Sequence, residues 1–452
     1  MSGPERTVPE GAGSAGGTGP GTAPRRGVPP RAVVAGIGIL AVIAAILLVI
    51  VLTQEDPDPA GQASPSPTSS PASEAPTGTA TPDATSEPTA SAAPSVPETW
   101  TEAAVYMEAG KRYVLGDLVA WSDGLLAVGT LYESEARSVF GPPPPRTGRV
   151  WRSTDGTDWT DVTPTDTFAD VELAHLFEAA DGALIVIGHT YADVAPVSAA
   201  WETSDGETWT PIELAGIPEE AFVLQVASGA QGHVAAVSVG TPSAAMYSSD
   251  GRTWEPTLDD AAVNTLAAGD EGFVASVLRP GSEEAPAQVV ASADGFEWVD
   301  AAELDAGSFV AAPRGGDWLA STTTADFDDP SLAVATWGSA NGLDWSQLGD
   351  MALSTDDPFG SDCSEAPAAL HGLPTMTVAA TLWTFGCGEG AVINAGAAYA
   401  SVDGAAWMRL PFGDQAYAAG AAMIGDRIVI ATDARTGNAP VIGVTFWVGD
   451  AR

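Results

Sequence analysis

The chain has 452 residues and a formal net charge of −42, with 59 acidic residues against 17 lysines and arginines. A surface this acidic repels nucleic acid and anionic lipid, so we expect no nucleic-acid partner. The 50 glycines and 14 tryptophans favour short strands and turns over long helices.

The N-terminal region has the pattern of a membrane anchor. Residues 1–31 are rich in Gly and Pro and are expected to form a disordered cytoplasmic tail. Residues 32–52 are 21 uncharged, almost wholly apolar residues, enough for a helix to cross roughly 30 Å of hydrocarbon. A signal peptide is the alternative, but its apolar core is usually shorter and precedes a small-residue cleavage site. Arginines precede the span and acids follow it, which predicts a single-pass protein of the cell membrane with its C-terminal bulk outside.

Residues 53–97 form a Pro/Ser/Thr-rich tract with six acidic residues and no basic one. Such a segment cannot bury a core, and its prolines keep it extended. We expect an extracytoplasmic linker that holds a folded domain, residues 98–452, at most roughly 140 Å from the bilayer.

The folded region contains a repeat with the pattern Ser/Thr-x-Asp/Asn-Gly-x-x-Trp, which we call the Asp-Gly turn. The six copies span 153–159, 203–209, 248–254, 292–298, 339–345 and 401–407. Their third residues are Asp155, Asp205, Asp250, Asp294, Asn341 and Asp403, spaced by 50, 45, 44, 47 and 62 residues. Six matches at four positions indicate a repeat protein.

The residue types of this motif suit a β-hairpin. Gly can adopt positive φ in a tight turn, and the acid and the Ser or Thr hydroxyl can accept hydrogen bonds from the turn amides. The Trp is expected to start the next strand and to fill the gap between neighbouring sheets.

A second pattern, two apolar strands joined by a short turn, precedes each Asp-Gly turn. It occurs seven times, first at 118–129 and last at 418–432, whereas only six complete Asp-Gly turns exist. After the seventh copy the chain supplies one more strand, and "ETWTEA" near residue 98 matches the missing fourth strand. An open array of sheets would leave exposed edges. The sequence therefore predicts an all-β, seven-bladed β-propeller of four-stranded blades, with the N-terminal strand closing the last blade.

These repeats resemble the Asp-box, or bacterial neuraminidase repeat, of sialidase-like propellers, in a form one residue shorter between Asp and Trp. The resemblance covers about residues 98–452. It implies that the six Asp and Asn residues are structural and lie on the blade periphery, away from the central pocket.

A binding surface is expected on the opposite face, where the loops between second and third strands meet the loops between blades. Long, variable segments there include 131–148 and 354–367. The candidate ligand-face residues are Tyr132, Glu135, Arg137, His189, Tyr191, Arg279 and Arg435. We expect a displayed scaffold that recognises an envelope protein, a peptide or a glycan.

The alternative function is that of an exo-sialidase or related glycosidase. Sialidases clamp a substrate carboxylate with three arginines, and Arg112 lies at a sialidase-like distance before the first strand. The Ile-Pro that follows this arginine in sialidases is replaced by Tyr113 and Val114. The sequence does not identify an acidic pair for general acid–base catalysis.

We predict no cofactor, with calcium as the open alternative. Two clusters have the carboxylates that hard cations prefer, Asp326, Asp328 and Asp329, and Asp356, Asp357 and Asp362. Neither cluster matches a defined calcium loop. Cys363 and Cys387 belong to the same predicted face and are expected to form a disulfide outside the cell, with two isolated thiols as the alternative.

Overall fold

The computed structural model describes most of the predicted propeller. Its residues are 95–134, 144–192, 195–238, 243–258, 261–279, 288–304, 308–324, 333–353, 364–385, 396–413, 416–435 and 442–451. Within these ranges no helix is long and apolar enough to cross a membrane. The predicted tail, the predicted span and most of the predicted linker, residues 1–94, lie outside the described residues.

The strands form seven groups of four, and each group is one blade of a ring. Blade 1 contains β2 (Arg112–Trp121), β3 (Gly124–Tyr132), β4 (Arg146–Ser153) and β5 (Thr160–Asp161); blade 2 contains β6 (Glu172–Glu178), β7 (Leu184–Ala192), β8 (Ala195–Thr203) and β9 (Thr210–Ile212); blade 3 contains β10 (Phe222–Gly229), β11 (Gly232–Ser238), β12 (Ser243–Ser248) and β13 (Glu255–Leu258). Blade 4 contains β14 (Ala262–Gly269), β15 (Gly272–Leu278), β16 (Gln288–Ser292) and β17 (Val299–Glu303); blade 5 contains β18 (Ser308–Arg314), β19 (Asp317–Thr324), β20 (Ala333–Ser339) and β21 (Ser346–Asp350). Blade 6 contains β22 (Ser364–Gly372), β23 (Thr377–Phe385), β24 (Ala398–Ser401) and β25 (Met408–Arg409); blade 7 contains β26 (Ala416–Ile424), β27 (Arg427–Arg435), β28 (Ile442–Asp450) and β1 (Thr101–Tyr106).

The ring closes through the innermost strands. Within each blade the strands pair antiparallel, in chain order except that β1 is the outer strand of blade 7. The first strand of every blade contacts the first strand of the next, from β2 round to β26 and back to β2. One parallel bridge between Arg112 and Ile442 joins blades 1 and 7. The predicted seven-bladed, all-β propeller of four-stranded blades is confirmed.

The two ends of the folded region meet in blade 7. Strand β1 pairs antiparallel with β28, with Thr101 opposite Val448 and Ala104 opposite Phe446. Just before β1, the Trp100 ring packs edge-on against Phe412, with ring centroids 5.2 Å apart. The N-terminal strand therefore completes the last sheet, as predicted.

The Asp-Gly turns have the predicted chemistry. In blade 2, Asp205 accepts hydrogen bonds from the backbone N–H groups of Glu207 at 2.8 Å and Thr208 at 2.7 Å. The Thr203 hydroxyl accepts one from the Gly206 N–H at 2.9 Å, and Gly206 has a φ of +75°. These backbone donors are the main reason that the pKa of Asp205 is held well below its usual range. One detail differs from the prediction, since each following strand begins one residue after the Trp.

Each Asp-Gly turn also fastens its blade to the preceding one. In blade 1, a Cβ added to Gly156 would lie 2.6 Å from Val429 of blade 7, so only glycine fits without displacement. The Trp159 ring stacks on Phe446 of blade 7, with centroids 3.9 Å apart. The buried apolar side chains form seven clusters among the described residues, one at each interface between blades. The core is therefore a ring of interfaces, in which apolar burial holds neighbouring blades together.

Candidate functional site

The two faces of the ring carry different connections. Leu125 at the start of β3 pairs with Ser153 at the end of β4, so the β2–β3 turn and the Asp-Gly turn lie at the same end of the blade. We call this end the turn face. The opposite end, the loop face, carries the connections from second to third strands and those between blades, and those predicted binding residues that the structure describes fall there.

On the loop face, side chains from blades 1 and 2 form a compact group that we call the Arg–Tyr–Glu cluster. It consists of Arg112, Tyr132, Arg146, Glu172 and Tyr191. The Arg112 guanidinium carbon lies 4.0 Å from the centre of the Tyr132 ring, and that of Arg146 lies 3.9 Å from the centre of the Tyr191 ring. Both distances are those of cation–π pairs. Each arginine of the cluster thus stacks on one tyrosine.

Glu172 links the two tyrosines. The Tyr191 hydroxyl donates a hydrogen bond to Glu172 Oε2 at 3.1 Å. Burial raises the pKa of Tyr132, and the neighbouring charge of Glu172 with its hydrogen bond to the hydroxyl raises it further. Tyr132 is therefore a neutral donor held beside a carboxylate.

Burial divides the Arg–Tyr–Glu cluster into two parts. Tyr132 and Arg146 are each only 6% exposed, and Arg146 Nε donates to the Asp170 carbonyl at 3.3 Å. Arg112, Glu172 and Tyr191 are partly exposed. A ligand approaching this face would therefore meet one guanidinium, one carboxylate and one phenol, supported from beneath by the buried pair.

Two neighbouring histidines of blade 2, His189 and His175, lie beside the cluster, and His189 senses the charge of Arg146. His189 Nε2 donates to the Val223 carbonyl of blade 3 at 3.1 Å, and its ring centroid is 6.2 Å from that of His175. Burial lowers the pKa of His189 to about 4, helped by the positive charge of Arg146. Burial likewise lowers the pKa of His175 to about 4. Both rings are therefore neutral at pH 7.

The structure brings four sequence candidates together, although not always in loops. Arg112, Tyr132, His189 and Tyr191 meet across blades 1 and 2. His189 and Tyr191 belong to β7 and Tyr132 ends β3, so the prediction that they lie in loops was wrong. The reason is strand length, because β7 includes both His189 and Tyr191 and ends only at Ala192.

The other candidates are not in this cluster or are not described. Arg279 forms an ion pair with Asp300 of β17 in blade 4, with Nη2 and Oδ1 2.7 Å apart. Arg435 ends β27, where its backbone pairs with Ile442. Residues Glu135 and Arg137 lie outside the described residues.

Two members, Arg146 and Glu172, were absent from the sequence-based candidates. Arg146 follows the proline run of the blade 1 insert, and Glu172 opens β6 directly before Leu173. Neither belongs to a motif. Both could have been found by aligning the blades, because each occupies the first position of a strand that starts on the loop face.

The predicted metal and disulfide sites are not described. Asp326, Asp328, Asp329, Asp356, Asp357, Asp362, Cys363 and Cys387 all lie outside the described residues. Within the described ranges, no three His, Cys, Asp or Glu residues are grouped so as to hold a metal ion. The segment 354–367, predicted to be a loop, ends earlier than expected, because β22 begins at residue 364.

Comparison with known proteins gives no family. No family model and no curated protein matches the chain. A protein of unknown function from Dyadobacter fermentans is 13% identical over 79% of this chain and 99% of that chain, with a TM-score of 0.44. The β-propeller domain of the trilobed protease from Pyrococcus furiosus is 10% identical over 75% of this chain and 97% of that chain, with a TM-score of 0.45.

An enzyme is also among the similar structures. An α-L-arabinofuranosidase of Fusarium graminearum is 14% identical over 76% of this chain and 93% of that chain, with a TM-score of 0.37. At such scores we take nothing about ligand or chemistry from these proteins. The propeller is assigned from the strand pairing of the chain itself.

Proposed function

We propose that this chain is a membrane-anchored, extracytoplasmic member of the sialidase-like Asp-box propellers that binds a ligand through the Arg–Tyr–Glu cluster. The anchor is residues 32–52, and residues 53–97 are the spacer. The ligand is a protein, peptide or glycan of the cell envelope. The observation that carries the proposal is the meeting of two arginines, two tyrosines and Glu172 on one face of a rigid ring.

The chemistry of the cluster favours a ligand that carries a carboxylate. Arg112 and Arg146 outnumber Glu172, so the cluster is a locally cationic patch on a chain whose net charge is −42. The planar guanidinium meets a carboxylate with two parallel hydrogen bonds, and Tyr191 adds a partly exposed aromatic surface. Because both arginines stack on tyrosine rings, little side-chain freedom remains to be lost on binding.

A glycan array tests this directly. We expect the chain to bind glycans with uronic or sialic acid carboxylates more tightly than their neutral counterparts. Arg112→Ala should reduce this binding at least about tenfold, because a charge-assisted contact contributes about 1.5–3 kcal/mol. Arg279→Ala, which removes an arginine from blade 4, is the matched control and should bind normally.

Peptides and envelope proteins form the second arm of the test. Acidic peptides should compete with the bound glycan, because the cluster would recognise the carboxylate of either ligand. Binding that is equal for neutral and acidic ligands, or equally weakened by Arg112→Ala and Arg279→Ala, would reject the cluster as the binding site.

An exo-sialidase or related glycosidase is the second candidate, favoured by the contact between Tyr132 and Glu172 beside two arginines. A tyrosine paired with a glutamate is the arrangement that the family resemblance implies for the nucleophile. Turnover of a fluorogenic sialoside that is lost in Glu172→Gln would support catalysis. Absence of turnover, with glycan binding retained, would reject the enzyme and keep the binding module.

Localisation is tested separately from binding. In a bacterial host, we expect the full chain in the membrane fraction and the propeller accessible to external protease. Deletion of residues 32–52 should move the chain out of the membrane fraction. Full protection from protease in intact cells would contradict the proposed orientation.

A further inference from the structure

Two adjoining cavities open on the turn face, on the opposite side of the ring from the Arg–Tyr–Glu cluster. Their volumes are about 290 and 280 Å³, and both are lined by Glu178, Gly229 and His233. They lie where the inner strands of blades 1, 2 and 3 end. An apolar cavity of about 150 Å³ is enough for benzene, so each has room for a small organic molecule.

The lining combines an apolar wall with one charged group. Val119, Ala120 and Leu176 contribute hydrocarbon surface to the first cavity. His233 is buried, and its Nδ1 lies 2.8 Å from the Ser228 hydroxyl oxygen. Burial lowers the pKa of His233 to about 4, so the ring is neutral at pH 7. Glu178 is then the one charged residue that lines either cavity.

The Glu178 carboxylate is exposed and available to a ligand. Among the residues that the structure describes, no side chain forms an ion pair with it. The nearby arginine of the blade 3 turn, Arg252, is already engaged by Asp181 at 3.1 Å and Glu202 at 2.8 Å. A cation that enters the cavity would therefore find an unneutralised carboxylate beside apolar surface.

We propose that this cavity binds a small organic ammonium ion, with Glu178 pairing with the ammonium group and the wall of Val119, Ala120 and Leu176 packing against its hydrocarbon part. An anion would be repelled by Glu178, and a neutral molecule would gain only the apolar contact. This site is independent of the proposed function, since it lies on the other face.

The test is a calorimetric titration in which each probe is added to the full chain, which is kept soluble with a non-ionic detergent. The probes are 2-phenylethylammonium, the neutral 2-phenylethanol and the anionic phenylacetate. We expect saturable binding of the ammonium ion, at least about tenfold weaker binding of the other two, and weaker ammonium binding at high salt.

Two substitutions of equal charge separate the cavity from the general acidity of the chain. Glu178→Gln should weaken ammonium binding about tenfold. Glu271→Gln removes the same charge from an exposed turn of the turn face, outside the cavity lining, and should leave binding unchanged. Ala120→Phe, which places a ring where Ala120 lines the first cavity, should abolish binding.

Three results would overturn the proposal. These are the absence of saturable ammonium binding, equal binding of the alcohol and the ammonium ion, and equal weakening by Glu178→Gln and Glu271→Gln. Arg112→Ala on the loop face should not change ammonium binding, so failure of this site and failure of the proposed function can be told apart. Thermal unfolding of each variant verifies that it is folded.

Discussion

The turn face and the loop face of the ring are built on different principles. On the turn face, one local motif recurs in six blades, and each Asp or Asn accepts hydrogen bonds from amides only two and three residues away. On the loop face, the Arg–Tyr–Glu cluster joins side chains from separate strands, such as Arg146 and Tyr191. The turn face therefore stabilises the ring, whereas the loop face brings unlike groups together.

The largest expected effect concerns the blade that lacks an Asp-Gly turn. A chain that begins at residue 107 loses β1 and Trp100, which leaves Phe446 and Trp447 of β28 without their partner strand. We expect this chain to lose cooperative unfolding, or to have a free energy of unfolding at least about 4 kcal/mol lower than the full chain. The reason is that an edge strand and a large aromatic side chain are removed together.

A chain that begins at residue 95 is the control for this truncation. It keeps all of β1 and should unfold at the same temperature as the full chain in circular dichroism. If both truncated chains are equally stable, the N-terminal strand does not close the ring in solution.

The ring and its closure were predictable from sequence because their determinants are local. Asp205, Gly206 and Trp209 fix a turn by their own backbone contacts, so six copies identify six hairpins wherever they occur. The position of Trp100 was likewise predictable, since it stands where a turn tryptophan would stand before its strand.

The site was only partly predictable, because its determinants are distant in sequence. Arg112 and Tyr132 are 20 residues apart, and they meet because β2 and β3 pair in the register that places them opposite each other. Arg146 and Glu172 are single charged residues without a motif, and only the structure reveals that both contact Tyr191. The cavity beside Glu178 has the same origin, since three inner strands from three blades line it.

The second prediction concerns the buried histidines and the dependence of stability on pH. Unfolded histidine binds a proton near pH 6.5, whereas His175 and His189 on the loop face bind one only near pH 4. Between these values the unfolded chain binds more protons, so the free energy of unfolding falls as the pH is lowered. We expect a loss of about 1.4 kcal/mol per pH unit for each such buried histidine.

Other groups add to this profile or oppose it. His233 on the turn face also has a pKa lowered to about 4, so it too makes the free energy of unfolding fall as the pH is lowered. Asp117 opposes it, because burial raises its pKa to about 6 and stability is gained as the pH falls from about 6 towards 3.8. The carboxylates of the Asp-Gly turns stop stabilising the folded chain only at lower pH. Backbone donors help to hold the pKa of Asp250 at about 2, against the effect of burial.

His189→Gln is the variant that measures the loop-face contribution. Glutamine keeps a donor for the Val223 carbonyl but does not titrate, so denaturant unfolding should become less dependent on pH between 6.5 and 4. An unchanged slope would show that His189 is not buried in the neutral form.

The third prediction concerns the fit of a turn against the preceding blade. Gly404 has a φ of +77°, and an added Cβ would overlap Leu319 Cδ1 of blade 5. Gly404→Ala should cost about 2–4 kcal/mol, from the backbone conformation and from overpacking combined. Gly425 has a φ of +56°, and nothing lies within 4 Å of an added Cβ. Gly425→Ala should therefore lower the free energy of unfolding by only about 1 kcal/mol. Equal losses in denaturant unfolding would mean that the turn does not press on its neighbour.

The smallest expected effect comes from exchanging the acid of a turn for its amide. Blade 5 already carries Asn341, whose Oδ1 accepts from the N–H groups of Leu343 and Asp344 at 2.9 Å each. Asp403 accepts the equivalent pair at 2.9 Å, so Asp403→Asn should change the free energy of unfolding at pH 7 by less than about 1 kcal/mol. Asp403→Ala leaves both amides without their acceptor and should cost about 1–2 kcal/mol. If Asp403→Asn lowers the free energy of unfolding as much as Asp403→Ala, the charge of the carboxylate stabilises the turn and the hydrogen-bond geometry alone does not. The Asn341 turn of blade 5 is then the weakest of the six.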